Sequence, residues 1–266
     1  MNKTLSESPS VAVERALTML ETVAQSSEGL SNAEISRKLN IPKSSASYIL
    51  RTLETRGYFA RDAESGKYRV GLKVLNLSRS ALGGIDVRGV ALPIMRRLMH
   101  QTSLTCHLAV LDGHEAVYIE KVEPETFIRM DTWVGRRMRV HATSVGKSIL
   151  AHIPQEELEE ILRKSGMEKR TPKTITTAPR LMKELEKVCG QGYAVDDEEN
   201  NLGARCVAAP IFDEQGLIAA SIGLSGTTQQ VSPQTMPHIV EALKDAARHI
   251  STGMGYRPRR HGSDSL

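Results

Sequence analysis

The sequence predicts an α+β chain with four parts. These are an N-terminal winged helix-turn-helix over residues 10–70, a linker helix over 71–84, a domain with a mostly antiparallel sheet over 85–252, and a flexible tail over 253–266. Three observations predict this order. Apolar residues between Ser10 and Thr55 recur at helical spacing in three blocks, separated by Gly29 and by Asn40-Ile41. Two short β-prone stretches then flank a Gly-containing turn. From Thr105 the pattern changes to alternation, and strands mix with helices.

In the first block, Val13, Leu17, Leu20 and Val23/Ala24 mark the buried face of a helix from Ser10 to about Ser26. Ser31-Asn32-Ala33-Glu34 is a capping box, in which the Ser31 hydroxyl and the Glu34 carboxylate each satisfy an orphan N–H. The helix it opens runs through Leu39 and buries Ala33, Ile35 or Ser36, and Leu39. In the third block, Pro42 suits the first helical position and Gly57 the C′ position. Ala46, Ile49, Leu50 and Leu53 form its apolar face. Ser44, Ser47, Tyr48, Arg51 and Thr55 form the opposite face, with Lys43 and Ser45 at its N-terminal edge. Helix, short helix, tight turn and amphipathic helix is the helix-turn-helix order.

Tyr58–Arg61 and Lys67–Val70 then read as a hairpin around Asp62-Ala63-Glu64-Ser65-Gly66, in the position of a wing. From Arg37 to Lys73 the cations Arg37, Lys38, Lys43, Arg51, Arg56, Arg61, Lys67, Arg69 and Lys73 face only Glu54, Asp62 and Glu64. The whole chain carries a formal net charge of +4 with a pI near 9.0, so the positive excess is local. Hydroxyls and cations on one helix face fit phosphates and base edges in a major groove. Ser44, Ser45, Ser47, Tyr48 and Arg51 are the expected groove contacts, and Lys43, Arg61, Lys67 and Arg69 the expected phosphate contacts. The partner they imply is double-stranded DNA, read as a palindrome by two copies of the chain.

The linker helix carries Leu72, Leu75, Leu77 and Leu82 and is the expected dimer contact; Gly83-Gly84 breaks it. A longer helix follows from Asp86 to Gln101, with Val87, Val90/Ala91, Ile94 and Leu98 on one stripe. Strands are expected at Cys106–Leu111, Ala116–Val122, Phe127–Met130, Tyr193–Val195, Arg205–Phe212 and Leu217–Leu224. Helices are expected at Ser144–Ile153, Gln155–Lys164, Arg180–Cys189 and Ser232–Thr252.

With 40% hydrophobic and 25% charged residues the 266-residue chain has an ordinary globular composition, which excludes wholesale disorder. No apolar run is long enough to span a bilayer and no signal-like leader is evident, so a cytoplasmic protein without membrane association is expected. Cys106, Cys189 and Cys206 are odd in number and far apart, which fits a reducing compartment and neither a disulfide scaffold nor a zinc ribbon.

The stretch Gly192–Asp213, GYAVDDEENNLGARCVAAPIFD, resembles the signature of the IclR family of bacterial transcriptional regulators. Gly192, Asp196, Glu199, Cys206, Val207, Ala208, Ile211, Phe212 and Asp213 fall on its spacing. His141–Lys147 resembles the family's pocket loop, and Val13–Leu17 the start of its DNA-binding domain. The resemblance covers Ser10 to Ser251. It implies a dimeric, often tetrameric, DNA-binding regulator whose GAF-like C-terminal domain binds a small organic acid or related metabolite, and a repressor is expected over an activator. By position it places effector contacts on Ser144, Val145 and Gly146, and on Asp196, Cys206 and Ser225. Where members that bind small keto acids carry a second serine, this chain has Gly223.

The residues themselves support such a pocket. Thr143–Lys147 opens a helix whose first N–H groups and dipole suit a carboxylate, and Gly146 would permit close approach. Asp196, the inward member of an acidic run, would accept hydrogen bonds from ligand hydroxyls. Trp133, Met138 and Val140 would wall the pocket or fill core. Cys206, His141 and Asp196 are also the residue types of a cysteine hydrolase or a zinc site. Cys206 lacks a helix N-terminus to activate it, and the spacing is scattered. No enzymatic activity, cofactor or metal is therefore expected.

Overall fold

The structure, a computed structural model, describes residues 10–83, 86–125 and 129–257, without the side chains at 79–83 and 86. The expected strand residues Phe127 and Ile128, the break at Gly84, residues 1–9 and the tail from Pro258 lie outside the described residues. The chain divides into two compact units, up to Gly84 and from Ile85.

The first unit contains α1 (Val11–Ala24), α2 (Asn32–Leu39), α3 (Lys43–Thr55), the hairpin strands β1 (Phe59–Arg61) and β2 (Tyr68–Val70), and α4 (Lys73–Gly83). The Ser31/Glu34 capping box is present, with the Ser31 N–H donating to Glu34 Oε2 at 2.7 Å. Pro42 is the residue that caps α3, one position before the helix, and its carbonyl accepts the Ala46 N–H. Gly57 follows the helix with φ +78°, as a C′ residue does. Ala46, Leu50 and Leu53 of α3 pack with Met19, Val23, Ile35, Phe59 and Tyr68 into one core. Two assignments of buried residues change. On α1, Met19 and Val23 are buried whereas Val13 and Leu17 are 56% and 52% exposed. On α2, Ala33 is exposed. α1 carries two apolar stripes, and only the one that meets α2, α3 and β2 is covered. Antiparallel pairing sets Phe59 opposite Val70 and Arg61 opposite Tyr68, which closes the wing.

The second unit is built on a six-stranded antiparallel sheet in the order β5-β4-β3-β8-β7-β6. Its elements are α5 (Asp86–Thr102), β3 (Thr105–Asp112), β4 (Glu115–Val122), β5 (Arg137–Arg139), α6 (Ser144–Leu150), α7 (Gln155–Ser165), α8 (Ala178–Gln191), β6 (Ala194–Asp197), β7 (Ala204–Phe212), β8 (Ile218–Thr227) and α9 (Met236–Gly253). The sheet order brings the first strand pair beside the last, so β3 and β8 form its centre and β5 and β6 its edges. α5 and α9 pack together and α9 lies on β7. α6, α7 and α8 bury Val145, Ile149, Leu158, Ile161, Leu181 and Leu185 in a shared core with Tyr118, Met138 and Ala208.

Three expectations shift here. Met95, not Ile94, completes the buried stripe of α5 with Val87, Ala91 and Leu98. α9 starts at Met236 and not at Ser232, because Ser232 and Thr235 exchange side-chain bonds in a preceding turn. β5 takes the edge position beside β4, whereas Arg129 and Met130 are not strand.

Candidate functional site

The first unit presents α3 with a buried and an open side. Lys43, Ser44, Tyr48 and Arg51 are exposed, Ser45 and Ser47 partly so. Tyr48 stands 77% exposed on the open side of α3, and the described neighbours leave its ring uncovered. Arg69 and Arg61 are exposed on the wing. Arg61 folds back over the Tyr68 ring, 5.6 Å from its centre, and donates to the Gly66 carbonyl at 3.4 Å. Lys67 is partly buried and faces Glu28 across 3.5 Å. The wing cations are thus unequal: among the described residues Arg69 has no such pairing, and Lys67 is already paired.

In the second unit Ser144, Val145, Asp196, Cys206 and Ser225 line one cavity of about 270 Å³. Their elements are α6, β6, β7 and β8. Tyr118, Met130, Asp131, Thr132, Arg136, Met138, Thr143, Asn200, Asn201 and Ala204 complete the wall. Gly146 is not in it. A Cβ there would lie 2.4 Å from the Val140 Cα, so this glycine lets α6 close onto the Val140 backbone. Its N–H is taken by the Thr143 hydroxyl at 3.2 Å. The expected close approach of a ligand at Gly146 is therefore replaced by close approach of the chain itself. The Ser144 and Val145 N–H groups have no acceptor among the described residues and remain as donors at the wall.

Asp196 is buried, and its Oδ1 accepts the N–H groups of Glu199 at 2.8 Å and Asn200 at 3.2 Å. Burial nonetheless pushes its carboxyl up to about 7, with Glu199 adding to the rise. The Glu199 that donates to it is itself held by Lys147, a fully buried lysine 2.5 Å away. The Glu199 carbonyl accepts the Thr174 hydroxyl at 2.6 Å. The turn carrying Asp196 is therefore fastened from α6 and from the loop before α8.

Cys206 faces Asp196 across the β6–β7 pair, with Ser225 opposite on β8. Burial pushes its thiol up to about 12, so it is a neutral group in the wall and not a thiolate. Behind it, Ser225 Oγ lies 3.4 Å from His107 Nδ1, and His107 Nε2 lies 2.7 Å from Thr132 Oγ1. His107 stacks on Tyr118 with ring centres 4.3 Å apart. Burial, then the charges of Lys121 and Arg136, push its pKa down to about 3, so the imidazole is neutral.

His141 is elsewhere. Its Nε2 lies 3.1 Å from the Glu168 carbonyl, and it is absent from the cavity wall, so no Cys206–His141 pair exists to activate a thiol. No cluster of metal-ligating side chains occurs among the described residues. Trp133 is 55% exposed and outside the wall, and Val140 is buried in core; Met138 does line the cavity. Sequence reasoning missed His107, Tyr118, Thr132 and Arg136, which are single polar residues with no spacing signal. It also missed Lys147 as a buried cation; the available signal was its place between Val145 and Ile149-Leu150 on an all-buried helix.

Residues 12–63 match the IclR helix-turn-helix domain, and residues 79–252 match the family described as bacterial transcriptional regulator IclR C-terminal. The chain belongs to the IclR family. The transcriptional regulator XynR of Escherichia coli K12 is 36% identical over 92% of this chain and 97% of its own length. The transcriptional repressor AllR of Klebsiella pneumoniae is 33% identical over 93% of this chain and 91% of its own length. The crystal structure of Thermotoga maritima IclR aligns with TM-score 0.79 at 35% identity, covering 92% of this chain and 98% of that one. An IclR homolog from Microbacterium hydrocarbonoxydans, solved in complex with 4-hydroxybenzoate, aligns with TM-score 0.80 at 27% identity over 91% and 98% of the two chains. This IclR-family protein is thus a DNA-binding transcriptional regulator, and the relatives named here are regulators, not enzymes. No described helix is long and apolar enough to cross a membrane.

Proposed function

We propose that this regulator is a cytoplasmic repressor whose grip on a palindromic promoter site is controlled by a small organic acid bound in the cavity of its second unit. The observation that carries the reading is the convergence of Ser144, Val145, Asp196, Cys206 and Ser225 from four elements on one polar cavity. At about 270 Å³ it lies below the ~300–1,000 Å³ usual for drug-sized ligands, which suits a small metabolite. The repressor named among its relatives and the relative solved with 4-hydroxybenzoate support both halves of the reading.

In this reading residues 10–70 are the DNA head, 71–84 the linker and 85–252 the sensor. Ser44, Ser45, Ser47, Tyr48 and Arg51 enter the major groove, and Lys43, Arg61, Lys67 and Arg69 meet phosphates. Two heads are needed for half-sites roughly 34 Å apart, so the working species is a homodimer or a tetramer. The exposed Leu75 and Leu77 of α4, with Leu72 just before it, supply an apolar stripe for pairing. A coupling of ~1–3 kcal/mol between cavity and head gives roughly 5- to 150-fold control of promoter occupancy.

The test is selection of bound fragments from genomic DNA, followed by thermal-shift screening of organic acids against the full-length protein. An acid that stabilises the wild type and not Asp196→Ala, and that changes affinity for the selected DNA, supports the reading. Acids that bind without changing DNA affinity contradict it.

A further inference from the structure

We propose that Arg136 anchors the carboxylate of the effector, so that the regulator selects hydroxy acids whose hydroxyl reaches Asp196 from the far end of the molecule. The inference rests on the reading of this cavity as the effector site. Arg136 immediately precedes β5 at one edge of the sheet, and Asp196 lies in β6 at the other edge, yet both line the same cavity. Arg136 makes no side-chain hydrogen bond among the described residues. Among the described residues the one carboxylate within 4 Å of it is Asp131, 3.8 Å away with its side chain 98% exposed. An ion pair that open to water is weak. Instead its guanidinium lies 4.7 Å from the centre of the Trp133 ring, a contact that holds the group in place while leaving its N–H fork unused. Its charge is felt by both His107 and Tyr118, which places it in the field of the cavity. Guanidinium is the side chain best shaped for bidentate carboxylate binding.

The start of α6 is the competing anchor, and the surroundings disfavour it. One of its N–H groups is already capped by Thr143, and the Asp196 carboxyl lines the same cavity. Lys147 is committed to Glu199 and Glu184. Once Asp196 is ionised, above about pH 7, a ligand carboxylate there would sit beside a like charge while Lys147 is already engaged. The Ser144 and Val145 N–H groups suit a neutral oxygen of the ligand better.

The experiment is titration calorimetry on the full-length protein with matched probes: 4-hydroxybenzoate, benzoate and 4-hydroxybenzamide, and 3-hydroxybutyrate, butyrate and 3-hydroxybutyramide. The wild type should prefer each hydroxy acid over its deoxy acid and its amide. Arg136→Gln should weaken the acids roughly 10- to 100-fold, leave the amides within about two-fold, and retain DNA binding as evidence of folding. Arg136→Lys should recover part of the loss. Asp196→Asn should erase the preference for the hydroxyl and keep the preference for acid over amide. If acid preference survives in Arg136→Gln but binding still depends on Asp196, Arg136 is not the anchor while the cavity reading stands. Binding indifferent to both variants overturns the cavity reading itself, and no binding by any probe overturns the hydroxy-acid class.

The pH profile gives a readout that packing changes would not mimic. The groups around Asp196 are Lys147 from α6, Glu199 in its own turn, Cys206 from β7, Tyr118 from β4 and Arg136 before β5. Burial raises the Asp196 carboxyl to about 7. A hydroxyl donated to Asp196 favours its ionised form, so hydroxy-acid affinity should rise about ten-fold from pH 6 to pH 8 while the deoxy acid stays flat. Affinity that falls over this range would put the carboxylate beside Asp196 and overturn the proposal.

Discussion

Lys147, fully buried on α6, holds its ammonium 2.5 Å from the Glu199 carboxylate, and the Glu199 N–H in turn holds Asp196. A buried lysine without its partner is an uncompensated charge, and so is the reverse. Lys147→Met should lower the stability of the second unit by about 3–5 kcal/mol, read as a fall in its calorimetric melting temperature. Lys147→Met combined with Glu199→Leu should regain most of that loss, because it removes both charges. A double variant as unstable as the single one would show that packing, not charge, is at stake.

Asp196 makes a prediction of opposite sign. Its carboxyl is raised to about 7 in the folded chain, mainly by burial, against 3.8 for an ordinary aspartate. The folded state therefore binds the proton more tightly than the unfolded state. Stability from this group is fully present below about pH 4 and is lost as pH rises through about 7. Asp196→Asn should stabilise the ligand-free protein by about 1–3 kcal/mol at pH 8 and by much less at pH 5. Melting curves at the two pH values check this. Equal effects at both would mean that the carboxyl is not held in a protonation-sensitive site.

On the DNA side, Arg51→Ala should weaken binding to a selected site by about 1–3 kcal/mol, because the proposed reading has the exposed Arg51 meet a base. Lys43→Ala should weaken binding to all sequences and reduce the salt slope by about 0.9. Lys67→Ala should do less than Lys43→Ala, since Lys67 is partly engaged by Glu28 at 3.5 Å. Anisotropy titrations at several salt concentrations separate the three.

Much of this arrangement is legible in the chain. The capping box at Ser31/Glu34, the apolar face of α3 and the wing turn each have a local cause, and local causes survive into the fold. The misassigned stripes have another origin. α1 offers Val13 and Leu17 as readily as Met19 and Val23, and α5 offers Ile94 as readily as Met95; only packing against neighbours chooses. β5 is three residues long and two of them are arginines, so no alternation announces it. The cavity follows the same rule. Asp196 and Cys206 are carried by a long signature and Ser225 by its position in the family resemblance, whereas Tyr118 and Arg136 reach the wall, and His107 the layer behind it, only through the fold.

Gly223 shows how a correct observation takes on a different meaning in the fold. The missing side chain at this position reads in sequence as a missing donor. In the structure a Cβ there would lie 2.8 Å from Val145 Cγ1, so Val145 already occupies the space. Gly223→Ser should cost about 1–3 kcal/mol through overpacking, and should change acid affinity by moving Val145 at the cavity wall. Calorimetric melting and acid titration on this variant check both effects. Unchanged stability would mean that Val145 turns aside freely.

The central claim is that occupancy of the Asp196 cavity sets affinity for promoter DNA, and it is tested most directly by fluorescence anisotropy. Full-length protein is titrated onto a selected DNA fragment with and without an acid that saturates the wild type, for the wild type and for Asp196→Ala. The account predicts a shift of roughly 5- to 150-fold in DNA affinity for the wild type and little or none for the variant. An acid shown by calorimetry to fill the wild-type cavity, yet leaving DNA affinity unchanged, would contradict it.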